Sequence, residues 1–445
     1  MNDQVLRDLQ EAVSELAERR PRYRTAHNYY NGNHNMVFAS EKFRTTFGNR
    51  FRSFADNLCP AVVDATADRL HVTGWKGNAE TIVRATELWK ASRMARQAGE
   101  LHLESLRAGD AYLLVWPDAQ GVPRMYAHQA SSCYVGYDEE LPGVVRYAVK
   151  TWMVDDTARI NIYYPDRLER YSVETKQGAM PSDLRKLEPF NGDGSGPVVA
   201  NPWGVVPVFH FANNSDLGEE GRSELSGVIA LQDALNKIHS DLLVTMEHYA
   251  MPQRYRIGVE SQIDPYTGKP VAPKQGPGVI WDLGEGAQVG QFPQADFRTF
   301  LDAINSYRTE IARVSRTPAH LLGLAGDNYP SGEALKTAER PLADKVRDRQ
   351  TAFGDVWADA MNLALRMSGV NDRVEPEWAP AETISESERL SNALLKEQIG
   401  VPRRQTLLDL GYTEEQVAEM LAELDAQNAA LSDQLLQQFN SGTAL

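Results

Sequence analysis

The sequence predicts an α+β protein in which long helices outweigh strands. Three observations carry this. A helical pattern runs from Ser331 to Gly369, and a block of aromatic and β-branched segments lies between Ala111 and about Phe211. Two more helices, Ser223–Ala250 and Ala295–Arg316, enclose a β-rich insert. At 445 residues the length argues for about three domains. With 42% hydrophobic and 24% charged residues, the chain has enough apolar material to bury real cores.

Residues 4–20 read as an amphipathic helix with Leu6, Leu9, Val13 and Leu16 on one side. The stretch ERRPRYRTAHNYYNGNH follows. Interleaved Arg and Tyr suit nucleic acid, by charge and stacking. The plainer alternative is a helix end and turn packed on a neighbour, and Asn31–Gly32 is a turn signal. Residues 57–108 read as mostly helical, through PAVVDATADRL and TIVRATELWKASRMARQAGELHLESL. AYLLVWPD, GVVRYAVKTWM, ARINIYYP, RLERYSVE and GVVPVFHF read as strands of one α+β domain. KQGAMPSDLRKLEPFNGDGSGP, between the last two, reads as a mobile loop.

In Ser223–Ala250 the apolar seam is Val228, Leu231, Leu235, Ile238, Leu242, Met246 and Tyr249, and Met251-Pro252 ends the helix. Residues 251–293 are β-rich. RYRIGV and GVIWDL are strands, QVGQF a third, and DPYTGKP and GEGA are turns. The next helix shows Phe297, Phe300, Ile304, Tyr307, Ile311 and Val314 on one face, and Pro318 stops it. The pair thus forms a helical hairpin with a β module at its tip. TPAHLLGLAGDNYP is the loop that follows.

Pro330 and Ser331 open the longest helix as breaker and N-cap, and Glu333 puts negative charge in its first turn. Ala334 stands where a capping box needs Glu or Gln. Leu335, Ala338, Leu342, Val346, Phe353, Trp357, Met361 and Leu365 keep a helical period as far as Gly369. At 1.5 Å per residue the element is about 58 Å long. Pro341 removes a backbone donor and crowds the carbonyl one turn back, so a bend is expected. The alternative is two ordinary helices meeting at Pro341. DRVEPEWAP then reads as a short edge strand. SESERLSNALLKEQIG, RRQTLLDLG and YTEEQVAEMLAELDAQNAALSDQLLQQF read as an acidic helical end.

No apolar run reaches the length of a membrane span, and the first twenty residues lack the apolar core of a signal peptide. Cys59 and Cys133 are too few for a disulfide framework or a four-cysteine zinc site, which suits a reducing compartment. The net charge of −15 argues against a broad grip on phosphate backbones. The charge is uneven: residues 1–110 hold 16 basic and 14 acidic groups, and residues 405–445 hold seven acidic and no basic ones.

Catalytic motifs are missing. Gly268-Lys269 lacks the earlier P-loop glycine, since Ile263 stands there. HExxH and GxSxG are absent, and Glu247-His248 is a chance neighbour pair. His239 and His248 are nine residues apart on one helix, too far to ligate one metal. Asp155-Asp156, Glu139-Glu140 and Glu219-Glu220 suit general acid–base or metal chemistry in principle, but adjacent loop carboxylates are ordinarily just solvated. Cys59 precedes a helix, where a thiol pKa falls, yet no His partner is evident and a structural thiol is the plainer account. The sequence therefore expects no catalytic residue, no cofactor and no metal.

Four stretches resemble tailed-bacteriophage portal proteins, the head–tail connectors, of the siphophage and actinobacteriophage type. They are HNYYNGNHNM with NLCPAVVDATADRLHVTGW; SELSGVIALQDALNKIHSDLL; SRTPAHLLGLAGDNYPSGEALKTAERPLADKVRDRQTAFGDVW; and VEPEWAPAETISESERLSNALLKEQIGVPRRQTLLDLGYTEEQV. The resemblance implies about twelve copies in a ring around a DNA channel. Residues 1–222 would be the wing, 223–250 and 294–317 the two stem helices, and 251–293 the clip. Residues 318–330 would be the tunnel loop, 331–380 the spine helix with its return to the wing, and 381–445 the crown. It further implies double-stranded DNA, the terminase large subunit, scaffold and major capsid proteins and a head–tail adaptor as partners, with no membrane. The location would be the virion's portal vertex, after assembly in the host cytoplasm. On this reading Asp327, Asn328 and Tyr329 face the DNA from the tunnel loop. Pro341 bends the spine, and Tyr266, Lys269 and Lys274 contact clip partners. Two other classes stay open: a metal-dependent hydrolase using Asp155 or Asp156 in residues 111–222, and a phage structural protein with no channel.

Overall fold

Helix α1 (Asp3–Tyr30) starts where the Asn2 side chain accepts the N–H groups of Gln4 and Val5 at 2.7 and 3.0 Å. It does not stop near residue 20 as the sequence suggests, but passes straight through Pro21. Pro21 lies on the exposed flank, where the missing ladder bond costs least. The buried face keeps its helical spacing across the proline, through Leu9, Ala12, Leu16, Tyr23, Ala26 and Tyr29. The computed structural model describes residues 2–34, 56–175, 183–191, 194, 196–216, 220–250, 254–258, 263–269, 271, 286, 288–291, 296–324, 332–382, 386–412 and 414–441.

Helix α2 (Cys59–Ala67), strand β1 (Val72–Lys76) and helices α3 (Ala79–Ala91) and α4 (Met94–Ala108) follow. The strand is new, because HVTGW sits inside a stretch that reads as helical. Two antiparallel sheets come next. The smaller joins β2 (Asp110–Pro117), β3 (Pro123–Gln129) and β10 (Val208–Ala212), with β2 in the middle. The larger runs β4 (Cys133–Tyr137), β5 (Val145–Val154), β6 (Thr157–Tyr163), β7 (Arg167–Glu174) and β8 (Glu188–Pro189), with β9 (Val198–Ala200) also on β7. Strands β3 and β4 were missed from the sequence. Pro123, Arg124 and His128 dilute the first, and the second is short.

Alternation along the strands builds three layers. On β2, Ala111, Leu113 and Val115 enter a core shared with α3, α4 and the helices described below, while Tyr112 and Leu114 enter a second core with Val135, Ala148 and Tyr163. On the far side of the larger sheet, Tyr147, Val149, Ile160 and Ile162 receive Val5, Leu9 and Leu16 of α1.

The hairpin consists of α5 (Ile229–Ala250) and α6 (Phe297–Ser315), with β11 (Arg254–Ile257) paired antiparallel to β12 (Gln288–Gln291) between them. The expected strand GVIWDL, residues 278–283, lies outside the described residues. Helix α7 (Gly332–Met367) is a single element with Pro341 inside it, not two helices. Its apolar stripe is buried only beyond the proline, at Leu342, Val346, Phe353, Trp357, Met361 and Leu365; Leu335 is half-buried and Ala338 exposed. Pro341 is exposed, like Pro21, so the ladder bond it cannot make again falls on the open side of the helix. Strand β13 (Glu375–Trp378) pairs antiparallel with β1.

Trp357 anchors the main core. Its indole N–H donates to His102 Nε2 at 2.9 Å, and His102 Nδ1 lies 3.0 Å from the Leu70 carbonyl. Burial therefore holds His102 neutral, with its pKa lowered to about 4. The unfolded chain takes up this proton from about pH 6.5 downward and the folded one does not, so stability falls as pH drops from about 6.5 to 4. The expected loss from this group is about 3 kcal/mol. Urea melts across that range should show a shallower pH slope for His102→Gln.

The described chain divides into two compact units, Met1–Ala381 and Glu382–Leu445, where the length suggested three. The second holds α8 (Glu386–Gln398), α9 (Arg403–Asp409) and α10 (Glu414–Ser441). Among the described residues no helix is long and apolar enough to cross a membrane.

Candidate functional site

Three segments meet beside α7. Lys345, 4% exposed, donates to Glu224 Oε2 at 3.1 Å and to the Ser315 carbonyl at 2.9 Å. One ammonium thus ties the segment entering α5, the last residue of α6 and the long helix. Arg349, one turn further on, donates to Glu224 Oε1 at 3.0 Å, and Asn213 reaches the same oxygen at 3.2 Å. Burial alone would raise the Glu224 pKa; the charges of Lys345 and Arg349 overcome it and hold the carboxyl low. The segment carrying Glu224 is seated by a close backbone approach. A Cβ on Gly221 would stand 1.9 Å from the Gly109 carbonyl oxygen.

A second polar network ties the hairpin to α1. Tyr29 donates to Asp233 at 2.7 Å, and Gln232 bridges the Asp56 carbonyl at 2.6 Å and the Leu58 N–H at 3.0 Å. Asp56 accepts from Arg308 of α6 at 2.6 Å and lies 3.4 Å from His239. His239 and Arg308 hold its pKa down to about 2. His239 therefore faces a structural carboxylate, not a metal site. The side chain of His248 lies outside the description.

None of these residues stands out by motif. The available signal was Lys345 and Arg349 sitting on the same stripe as Leu342, Val346 and Phe353: cations four apart on a buried face require an acid opposite.

At the tip, the Asp264 carboxylate accepts the N–H groups of Tyr266 and Thr267 at 2.8 and 3.3 Å, and the Asp264 N–H donates to the Lys269 carbonyl at 3.0 Å. This turn holds Tyr266 96% exposed with Lys269 also exposed beside it. Ile257, Ile263 and Val289 are exposed as well, so the tip presents apolar surface. Lys274, Asp327, Asn328 and Tyr329 lie outside the described residues.

The chemically suggestive groups resolve into structural ones. Asp155 and Asp156 are the exposed turn of the β5–β6 hairpin, with Asp155 at φ 51°. Glu139 and Glu140 sit in an exposed turn capped by Asp138. Glu220 pairs with Arg19 and Arg22, and Glu219 is outside the described residues. Among the described residues no three or more His, Cys, Asp or Glu groups converge as a metal site. Cys59 is fully buried, and burial followed by the Asp233 charge pushes its thiol up to about 12. A relay-like chain runs through Asp110, His210 and Tyr137, with His210 at 2.8 Å from each partner. Asp110 also accepts from Tyr23 at 2.7 Å and from the Gly221 N–H at 2.7 Å. Burial pushes Tyr137 up to about 12, opposite to an activated hydroxyl. The chain satisfies a buried carboxylate.

Residues 10–433 match the family model described as phage portal protein, SPP1 Gp6-like. A portal protein of Mycobacterium phage L5 is 24% identical over 405 residues, covering 84% of this chain and 79% of that one. A portal protein of Mycobacterium phage D29 is 28% identical over 247 residues, covering 52% of this chain and 51% of that one. Among solved structures, a chain from the neck of a native gene transfer agent particle, computed with C12 symmetry, aligns at TM-score 0.46 and 16% identity, over 85% of this chain and 95% of that one. A chain from the neck of the empty particle, computed with C6 symmetry, aligns at 0.48 and 16%, over 81% and 94%.

Proposed function

Because this chain belongs to the SPP1 Gp6-like family of phage portal proteins, a structural family, we propose that it forms a ring at one capsid vertex. About twelve copies enclose the channel through which double-stranded DNA enters and leaves. Residues 1–222 and 331–380 form the wing and spine, the α5–α6 hairpin the stem, residues 251–293 the clip, and 381–445 the crown. The clip, led by Tyr266, Lys269 and Lys274, docks the terminase large subunit and later the head–tail adaptor. The outer surface meets scaffold and major capsid proteins as the particle is built in the host cytoplasm. The observation that carries this is the family match over residues 10–433, a range that includes the hairpin and the long helix.

The charge fits the task. Twelve copies at −15 each total about −180, and DNA sliding both ways needs walls that do not grip phosphates. Asp327, Asn328 and Tyr329 offer the duplex polar and stacking contacts without fixed positive charge. Negative-stain imaging of the purified chain tests the assembly: rings with a central hole are expected, and compact single particles at high concentration overturn it.

Pro341 couples the tunnel loop to the packed part of the spine, since it stands where the exposed and buried halves of α7 meet. Pro341→Ala restores a helix donor and should raise the melting temperature while reducing the DNA packaged per particle. Unchanged packaging in correctly assembled particles would remove the coupling role.

A further inference from the structure

Helix α1 is flanked by two clefts of opposite charge. On one side, a cleft of about 650 Å³ is lined by Glu11, Glu15, Glu18 and Glu220, with Arg19 and Arg22 as the cations among its described residues. Arg19 and Arg22 already pair with Glu15 and Glu220, and Glu11 with Arg146, whereas Glu18 is exposed and pairs with no described residue. On the other side, a cleft of about 780 Å³ is lined by Arg20, Arg24 and His27 of α1 with Ser131, Thr151 and Trp152, and among the described residues no carboxylate lines it. His27 is answered from behind by Glu104 at 3.0 Å. Among the described residues Arg20 has only neutral partners, the Ser131 carbonyl at 3.1 Å and Thr151 Oγ1 at 3.0 Å, and burial lowers its pKa. Arg24 is exposed and forms no ion pair with a described residue.

At about 100° per residue, the Glu11, Glu15 and Glu18 flank and the Arg20, Arg24 and His27 flank lie about 180° apart around the helix, with the buried Leu9–Leu16–Tyr23 face between them. This is the geometry a head-to-tail contact needs: two different, complementary surfaces on opposite sides of one subunit, which close into a ring when the rotation allows. The basic, aromatic stretch of the sequence thereby splits into one neutralised flank and one unanswered flank.

We propose that the Arg20–Arg24 cleft of one copy receives the Glu15–Glu18 edge of the next copy, so that α1 carries an electrostatic contact of the ring. This rests on the ring assembly proposed above. The other candidate occupant is nucleic-acid phosphate. It is less favoured because the carboxylates that complement these cations stand on the opposite flank of the same helix, where a neighbouring copy in the ring presents them.

The test uses full-length Arg24→Glu, Glu18→Arg and the double variant, all at exposed positions, followed by mass photometry and imaging at low and high salt. Each single change should weaken ring assembly about tenfold at low salt. The double change should restore it to within about threefold, and raised salt should weaken the wild-type ring. Single variants that assemble like the wild type, or losses that add in the double variant, overturn the contact while leaving the ring itself standing. A wild-type chain that forms no ring removes the underlying assembly instead. Loss of binding to a single-stranded oligonucleotide in Arg24→Glu, with assembly intact, assigns the cleft to nucleic acid and also overturns the proposal.

Discussion

Trp357→Ala should lower the unfolding free energy by roughly 3–5 kcal/mol, the range for emptying a fully buried indole site. Trp357 is 0% exposed and packs edge-on against Trp89 and Phe211 at ring distances of 4.9 and 5.0 Å. Strand β10, helix α3 and helix α7 therefore all lose a common contact. The substitution also strips His102 Nε2 of its donor. Trp357→Phe separates the two effects, since it keeps most of the volume and removes the N–H. It should cost about 1–3 kcal/mol, the penalty of one unserved buried polar atom plus a small void. Denaturant melts at fixed assembly state measure both. A loss below about 1 kcal/mol for the alanine variant would mean that α7 does not pack as described.

Lys345→Met should cost a similar amount, roughly 3–5 kcal/mol, for a different reason. It leaves Glu224 buried with Arg349 and Asn213 alone and leaves the Ser315 carbonyl without the ammonium. Glu224→Gln removes the other half of the pair. The Glu224→Gln/Lys345→Met variant should cost less than the two singles added together, because the second change no longer strands a charge. Additive losses would show that the two groups do not act on one another. The readout reaches beyond stability, since Lys345 holds both ends of the hairpin to the long helix. Rings of the single variant should show a disordered stem in averaged images, while Trp357→Phe rings should not.

Much of the architecture is legible in the residues. The long helix, the hairpin with its β tip and the strand-rich block all follow from local periodicity, because i, i+3 and i+4 or alternate positions need only one partner surface to bury. The resemblance to portal proteins is carried by four sequence stretches in chain order, not by periodicity. Local rules misjudge α1, because propensity says a proline ends a helix and cannot say which flank faces water. They also miss β1, a five-residue strand whose partner, β13, lies some 300 residues away.

By itself, the sequence determined the element types, the acidic balance, the absence of the catalytic motifs sought and the family likeness. Only the tertiary structure decided that Lys345, Glu224 and Ser315 share one ammonium, that His102 is a neutral core group, and that the Arg and Glu residues of α1 lie on opposite flanks with different fates. The physical reason is that burial and charge pairing are set by groups distant along the chain. A residue's own neighbours in sequence state its periodicity, but not the partner that will meet it.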